Sequence, residues 1–148
     1  MRSNLEGGCH CGAVRLCIVG GLGENAKAGI CHCKDCQTFA GSLFAYAGKV
    51  DRAALQVVQG QPKAYKQPTS TNLSGKQVTR HFCGDCGTPL WVESDATPTI
   101  YAVKLALFGN AFEPGIEIFW KNAHEWEKPL APSEMVFDTL PAMPPTGS

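Results

Sequence analysis

The sequence has no excess charge of either sign. Lysine plus arginine and aspartate plus glutamate each number 13, so the formal net charge at pH 7 is zero. Proteins that bind nucleic acid usually carry an excess of positive charge. A net charge of zero provides no such excess, although it is compatible with a localised basic face. We therefore expect no nucleic-acid partner.

Long hydrophobic runs are also missing. No uncharged segment approaches the ~20 residues that a membrane-spanning helix needs. Residues 1–8 contain no apolar stretch of the kind found in signal peptides. We expect no membrane association and a cytoplasmic location, where thiols stay reduced.

What the sequence does contain favours a β protein. A chain of 148 residues with 16 glycines, 10 prolines and only short apolar runs suits one turn-rich domain. We expect a single domain over residues 1–148, with a core at about 7–120 and a proline-rich C-terminal extension at 121–148. The last dozen residues are predicted to be poorly ordered.

The coarse secondary structure follows from the apolar pattern and the turn residues. Val14, Leu16 and Ile18 share one face of a predicted strand over residues 13–19. A short helix is predicted from Lys34 to Ala40, ended by Gly41. Further strands are predicted at 43–50, 55–58, 77–82, 88–93, 99–107 and 116–120, and residues 66–76 are predicted to form an exposed loop.

The eight cysteines need an explanation in a reducing compartment. They lie at positions 9, 11, 17, 31, 33, 36, 83 and 86, and seven of the eight fall in C-x-C or C-x-x-C groups. Disulfides between such close neighbours would close strained loops, so metal binding is the better interpretation.

Four of these cysteines form a candidate structural zinc site. Cys9 and Cys11 supply one half, and Cys83 and Cys86 supply the other half from more than seventy residues away. Four thiolates complete the tetrahedral shell of zinc, and such a site contributes on the order of 10 kcal/mol to folding. Strands before and after the second pair give the pattern of a zinc ribbon.

The remaining group, Cys31, Cys33 and Cys36, is a candidate catalytic site. Three thiolates leave the fourth position of a zinc ion open for water or substrate. Such a centre suits a substrate thiol, which becomes a thiolate on coordination. The rival interpretation is a closed structural site, whose fourth ligand would come from Cys17, His32, His81 or His124.

Several other polar residues have both a functional and an ordinary interpretation. Because neighbouring side chains in an extended segment alternate, His10 and His32 should point away from the metals that their neighbours bind. Cys17 is expected to be a small buried hydrophobe. Arg80 suits a substrate carboxylate, although an exposed strand arginine is commoner, and no general base stands out among the expected surface carboxylates Asp35, Asp85 and Glu117.

In these motifs, the sequence resembles the glutathione-dependent formaldehyde-activating enzyme family, whose domain is shared with centromere protein V. The resemblance spans about residues 7–120 and rests on Gly8-Cys9-His10-Cys11-Gly12-Ala13-Val14-Arg15, Cys31-His32-Cys33-Lys34-Asp35-Cys36 with Gly41-Ser42-Leu43-Phe44, and Arg80-His81-Phe82-Cys83-Gly84-Asp85-Cys86-Gly87.

The resemblance implies a mainly β, Mss4-like fold of several small antiparallel sheets with zinc-ribbon-type knuckles. It also implies two zinc ions per chain: a structural one on Cys9, Cys11, Cys83 and Cys86, and a catalytic one on Cys31, Cys33 and Cys36. The implied activity is that of a carbon–sulfur lyase, which joins a thiol such as glutathione to an aldehyde such as formaldehyde. The alternative is a zinc-stabilised binding module without catalysis.

Two positions depart from the family pattern. Family members often carry Pro-x-x-His-Ile near the end of the domain, and here Glu117 stands at the histidine position. The acidic pair that often follows a Gly-x-Leu is replaced by Lys104-Leu105-Ala106-Leu107. Both changes bear on the substrate, and neither touches a predicted zinc ligand.

Overall fold

The computed structural model describes residues 3–109 and 112–141, which form a mainly β protein. The longest helix of this part is Lys34–Ala40, and 3-10 turns of three or four residues occur at Arg52–Ala54, Thr69–Thr71, Leu105–Phe108, Trp120–Asn122 and Ser133–Met135. In chain order the elements are β1 Leu5–Gly8, β2 Arg15–Ile18, β3 Ala28–Cys31, α1 Lys34–Ala40, β4 Ala45–Asp51, β5 Leu55–Gln59, β6 Lys63–Gln67, β7 Val78–Phe82, β8 Pro89–Ser94, β9 Ile100–Val103 and β10 Pro114–Ile118.

The strands form two sheets. A three-stranded antiparallel sheet has the order β1–β2–β5, and a seven-stranded sheet has the order β10–β3–β4–β9–β8–β7–β6. Only the pairing of β10 with β3 is parallel among these described strands. The predicted mainly β, Mss4-like fold with antiparallel pairing and zinc-ribbon-type knuckles is confirmed, and the structure adds this one parallel pair at the end of the larger sheet.

Helix α1 occupies the predicted residues. It begins after Cys33, whose sulfur accepts a hydrogen bond from the Cys36 backbone N–H at 3.3 Å, and it ends at Gly41. A cysteine sulfur thus takes the capping role that a serine or aspartate oxygen usually has. The same short segment therefore fixes both the helix start and the position of two cysteines.

Two element predictions are wrong. The predicted loop at 66–76 begins inside β6, which is hard to detect because four of its five residues are exposed on an edge strand and show no apolar alternation. The predicted strand at 99–107 stops at Val103, and the chain continues as a 3-10 turn. That turn buries Leu105 and Phe108, and their three-residue spacing suits a helical turn rather than a strand.

The core lies between the two sheets. Val14, Leu16 and Ile18 are buried as the alternation predicted, and they belong to one cluster with Val103 and Leu105. Cys17 is buried too, as expected for a small hydrophobe. No helix in the described ranges is long and apolar enough to cross a membrane.

The chain beyond β10 packs back onto the large sheet. The Phe119 N–H donates to the Thr139 carbonyl at 3.0 Å, and the Phe137 N–H donates to the Glu117 carbonyl at 2.9 Å. The prediction that the last dozen residues are poorly ordered is therefore wrong for 137–141. Its remainder, residues 142–148, lies outside the described residues.

The strand register gives the large sheet two distinct faces. Directly paired residues point to the same side, and side chains alternate along each strand. One side, which we call the thiol face, carries a row that crosses the sheet from β3 to β6: Cys31, Ala45, Lys49, Ala102, Val92, Arg80 and Tyr65. The opposite side, which we call the histidine face, carries Ile30 and Glu117, which pair directly, and His32, two residues after Ile30.

Candidate metal sites and active site

Cys9, Cys11, Cys83 and Cys86 come together in the structure. Their sulfur atoms all lie within 4.8 Å of one another. The distance from the Cys11 sulfur is 3.6 Å to that of Cys9 and 3.8 Å to that of Cys83. Four ligands at the ~2.3 Å zinc–sulfur distance would stand about 3.8 Å apart on a tetrahedron. The cluster therefore has the size and donor set of a tetrathiolate metal site.

Two tight turns shape this cluster. Gly12 follows Cys11 with φ 82°, and Gly87 follows Cys86 with φ 80°, a left-handed backbone that favours glycine. Backbone and hydroxyl groups point at the sulfurs: the Val14 N–H donates to Cys9 at 3.2 Å. The Thr88 hydroxyl, 3.1 Å from the Cys86 sulfur, lowers the pKa of Cys86 to about 5. At Cys86, the Thr88 hydroxyl thus favours the thiolate form that a metal requires.

Cys31, Cys33 and Cys36 form a second, separate cluster. Cys31 ends β3, Cys33 caps α1, and Cys36 lies in the first turn of α1, which brings their half-buried sulfurs within 4.8 Å of one another. Hydrogen bonds from the thiols of Cys31 and Cys36 lower the pKa of Cys33 to about 2. The same contact with Cys33 raises the pKa of Cys31. Within this cluster, Cys33 is therefore the thiol that loses its proton most readily.

Among the described residues, this cluster contains no fourth histidine, cysteine or carboxylate donor. Each of the four candidates for a closing ligand lies elsewhere. Cys17 is in β2 of the smaller sheet, and His81 stacks on Trp91 with ring centres 4.3 Å apart. His124 is exposed beside Trp126. The last candidate, His32, is on the histidine face, and its ring contacts other residues.

Comparison with known proteins identifies the family. The model of the family described as glutathione-dependent formaldehyde-activating enzyme matches residues 4–122. The chain belongs to this family. A Halomonas elongata protein named "putative glutathione-dependent formaldehyde-activating enzyme" is 32% identical over 97 residues, which cover 65% of this chain and 60% of that protein. A crystal structure of a Rhodobacter sphaeroides protein, a structural genomics target, matches with a TM-score of 0.57 and 28% identity over 72% of this chain and 90% of the other.

In this family member, His32 is locked on the side of the sheet opposite the thiols. It is 1% exposed, and its Nε2 atom lies 2.6 Å from a carboxylate oxygen of Glu117. The rings of Phe44 and Trp120 meet the imidazole edge-on, with centres 5.5 and 5.0 Å away. The expectation that the side chain of His32 points away from its cysteine neighbours agrees with these contacts.

Glu117 is not the surface carboxylate that the sequence suggested. It is 1% exposed, and besides His32 it accepts hydrogen bonds from the backbone N–H groups of Leu130 and Ala131. The departure from the family pattern at this position is thus a buried carboxylate with three partners. Its position between Ile116 and Ile118 gave no local signal of burial, because apolar and polar residues ordinarily alternate in a half-exposed strand.

Arg80 is likewise not the exposed arginine that the sequence favoured. It is 8% exposed on the thiol face, its Nε atom donates to the Gln67 side-chain oxygen at 3.0 Å, and its guanidinium carbon lies 4.0 Å from the centre of the Phe39 ring. Burial lowers the pKa of Lys104, which lines the same cavity. The sequence analysis named Lys104 only within the segment that departs from the family pattern, and it gave this lysine no place in the site.

Proposed function

We propose that this protein is a zinc-dependent carbon–sulfur lyase that forms or cleaves a thiol–aldehyde adduct such as S-(hydroxymethyl)glutathione. The observation that carries the proposal is the presence of two thiol clusters of different kinds. One has four sulfurs that all lie within 4.8 Å of one another. The other has three sulfurs, no further protein donor among the described residues, and a cavity on its side of the sheet.

Zinc suits both clusters because it prefers thiolate ligands and tetrahedral geometry. Cys9, Cys11, Cys83 and Cys86 would hold a structural ion, and Cys31, Cys33 and Cys36 would hold a catalytic one. When bound at the second cluster, zinc supplies a Lewis acid that favours the thiolate or alkoxide form of a small ligand. Because the cluster needs three cysteines that are not oxidised to disulfides, a reducing location such as the cytoplasm fits this function.

The proposed reaction requires little catalytic assistance from the protein. The substrate sulfur bonds to the aldehyde carbon, the carbonyl π electrons move to oxygen, and the thiol proton ends on the resulting hydroxyl group; cleavage is the reverse. Because this addition is easy in water, positioning of the two partners is the main contribution that the site has to make. The protein groups that position them are the cluster on α1 and β3 and the cavity walls beside it.

Metal content and cobalt spectroscopy test the proposal. Wild-type protein should carry two metal ions per chain, and Cys36→Ser should carry one while keeping its fold, because only the second cluster loses a ligand. Cys17→Ala is the matched control: it removes a buried cysteine that belongs to neither cluster, and it should retain both ions.

In the cobalt-substituted protein, a small thiol should change the absorption of one of the two ions, and Cys36→Ser should abolish that change together with any lyase activity. If both ions were equally inert and no thiol altered either spectrum, the chain would be better described as a zinc-stabilised binding module.

A further inference from the structure

A cavity of about 120 Å³ opens on the thiol face of the large sheet. Rings and aliphatic atoms form much of its wall, and Arg80 and Lys104 are its two cationic residues; the apolar side chains include Phe39, Tyr65, Phe82 and Pro89. Pockets that hold drug-sized ligands usually measure about 300–1,000 Å³. This cavity is therefore large enough for one end of a substrate and too small for a whole peptide.

Arg80 is held rigidly at the cavity. Its backbone lies in β7, Gln67 accepts from its Nε atom, and the Phe39 ring covers one side of the guanidinium. Gln67 is itself fixed, because its side-chain nitrogen donates to Asp35 at 2.7 Å. Among the described residues, no acceptor takes the four N–H bonds on the two terminal nitrogens of Arg80, so that end of the guanidinium is free to bind a ligand.

Neither cation of the cavity has a direct carboxylate partner. No aspartate or glutamate oxygen in the described ranges lies within 4.0 Å of Arg80 or Lys104, and the carboxylate of Asp35 is separated from Arg80 by the Gln67 amide. Burying a cation without a paired anion is costly. Apart from the neighbouring thiols, no anionic group of the described residues offsets these two charges, so a small anion that entered the cavity would be attracted by both.

The cavity is adjacent to the three-thiol cluster. Cys36 and Phe39 are three residues apart in α1 and so lie on the same side of the helix. Since the Phe39 ring contacts Arg80, the Cys36 sulfur and the guanidinium are neighbours. The charge of Lys104 also interacts with the thiols of Cys36 and Cys31. The two cationic residues and the three thiols are therefore close enough to interact electrostatically.

We propose that Arg80 and Lys104 bind a carboxylate of the substrate, with Arg80 making the two-pronged contact, while the reacting end of the substrate faces Cys31, Cys33 and Cys36. This rests on the proposed function and narrows its substrates to adducts that carry a carboxylate a few bonds from the carbon–sulfur bond. The carboxylate belongs either to the thiol or to the aldehyde.

Calorimetric titration of the metal-loaded protein with matched ligands tests this. 3-Mercaptopropionate and neutral 3-mercaptopropan-1-ol differ only at the carboxylate end. The acid should bind about 10- to 100-fold more tightly, the size of a charge-assisted contact. Arg80→Gln should remove this difference and leave the affinity for the neutral thiol unchanged. Arg80→Lys should restore only part of it, because lysine cannot make the two-pronged contact.

Two further variants provide an independent test and a control. Lys104→Met leaves the β7 arginine intact and should reduce the preference for the acid even if Arg80→Gln folds poorly. Arg52→Gln is the matched control, since Arg52 also lies over an aromatic ring, that of Tyr101 at 4.9 Å, but does not line the cavity. It should bind both thiols like wild type.

A second ligand pair identifies the source of the carboxylate. With 2-mercaptoethanol present, glyoxylate should bind more tightly than acetaldehyde if the aldehyde carries it, and equally if the thiol does. Equal binding of the acid and the neutral ligand in both pairs would overturn this proposal and leave the proposed function standing. Binding of propionate that depends on Arg80, in a protein that binds no thiol, would support the carboxylate site and overturn the function.

Discussion

The buried contact between His32 and Glu117 should be a major source of stability, and Glu117→Ala measures it. The carboxylate serves His32 and the N–H groups of Leu130 and Ala131. Removing it leaves at least two buried polar groups, the His32 ring nitrogen and the Ala131 N–H, without a partner. Each unsatisfied group costs about 1–3 kcal/mol, so we expect a loss of about 3–5 kcal/mol in the free energy of unfolding.

Urea unfolding of the metal-loaded protein, followed by tryptophan fluorescence, gives the measurement. Glu113→Ala is the matched control: Glu113 lies one residue before β10, and its exposed ion pair with Lys27 should contribute little to stability. Glu117→Gln keeps an oxygen for the backbone donors and should lose less stability than Glu117→Ala. A loss within 1 kcal/mol of the Glu113→Ala control would refute the reasoning.

Variants of the same two residues distinguish an effect on folding stability from an effect on metal binding. His32→Ala should be destabilised like Glu117→Ala, and the double variant should be little worse than either single one, because the two residues share one contact. Since the imidazole faces away from the thiols, we expect His32→Ala to retain the metal at Cys31, Cys33 and Cys36 under native conditions. Loss of that metal would show that His32 is a ligand.

Two further variants address the structural cluster. Cys83→Ser removes one of four ligands from the proposed structural zinc site, and such sites contribute on the order of 10 kcal/mol to folding, comparable to the whole net stability of a domain. The variant should therefore give insoluble or unfolded chain, as judged by soluble yield and circular dichroism. Gly87→Ala should cost about 1–2 kcal/mol, seen as a lower melting temperature, because its φ of 80° strains any residue with a Cβ; Gly29→Ala, at a position with ordinary space for a methyl group, should be near neutral.

Local sequence patterns predicted the features that depend on residues close together in the chain. Helix α1 has the expected bounds because its cap, its first turn and Gly41 all lie within nine residues. The two cysteine groups were separable because metal-binding turns also have short, fixed spacing. The roles of those cysteines as zinc ligands remain predictions until a metal is measured.

The contacts that sequence reasoning missed join distant segments. Glu117 is 85 residues from His32 along the chain, and nothing near either one indicates the partner. Arg80 is buried because α1 places Phe39 over it, which depends on how the helix packs on the large sheet. Because charged side chains are usually exposed, the sequence led to the wrong prediction that Glu117 and Arg80 lie at the surface.

Alternation along one strand explains how the proposed catalytic cluster is supported. In the run Cys31-His32-Cys33, the two thiols and the imidazole leave the chain on opposite sides. The thiols join Cys36 on the side of Arg80, and His32 is fixed on the other side by Glu117. Glu117 is in turn held by backbone groups of Leu130 and Ala131, which follow the last strand. Through these contacts, Leu130 and Ala131 help to hold the backbone that joins Cys31 to Cys33.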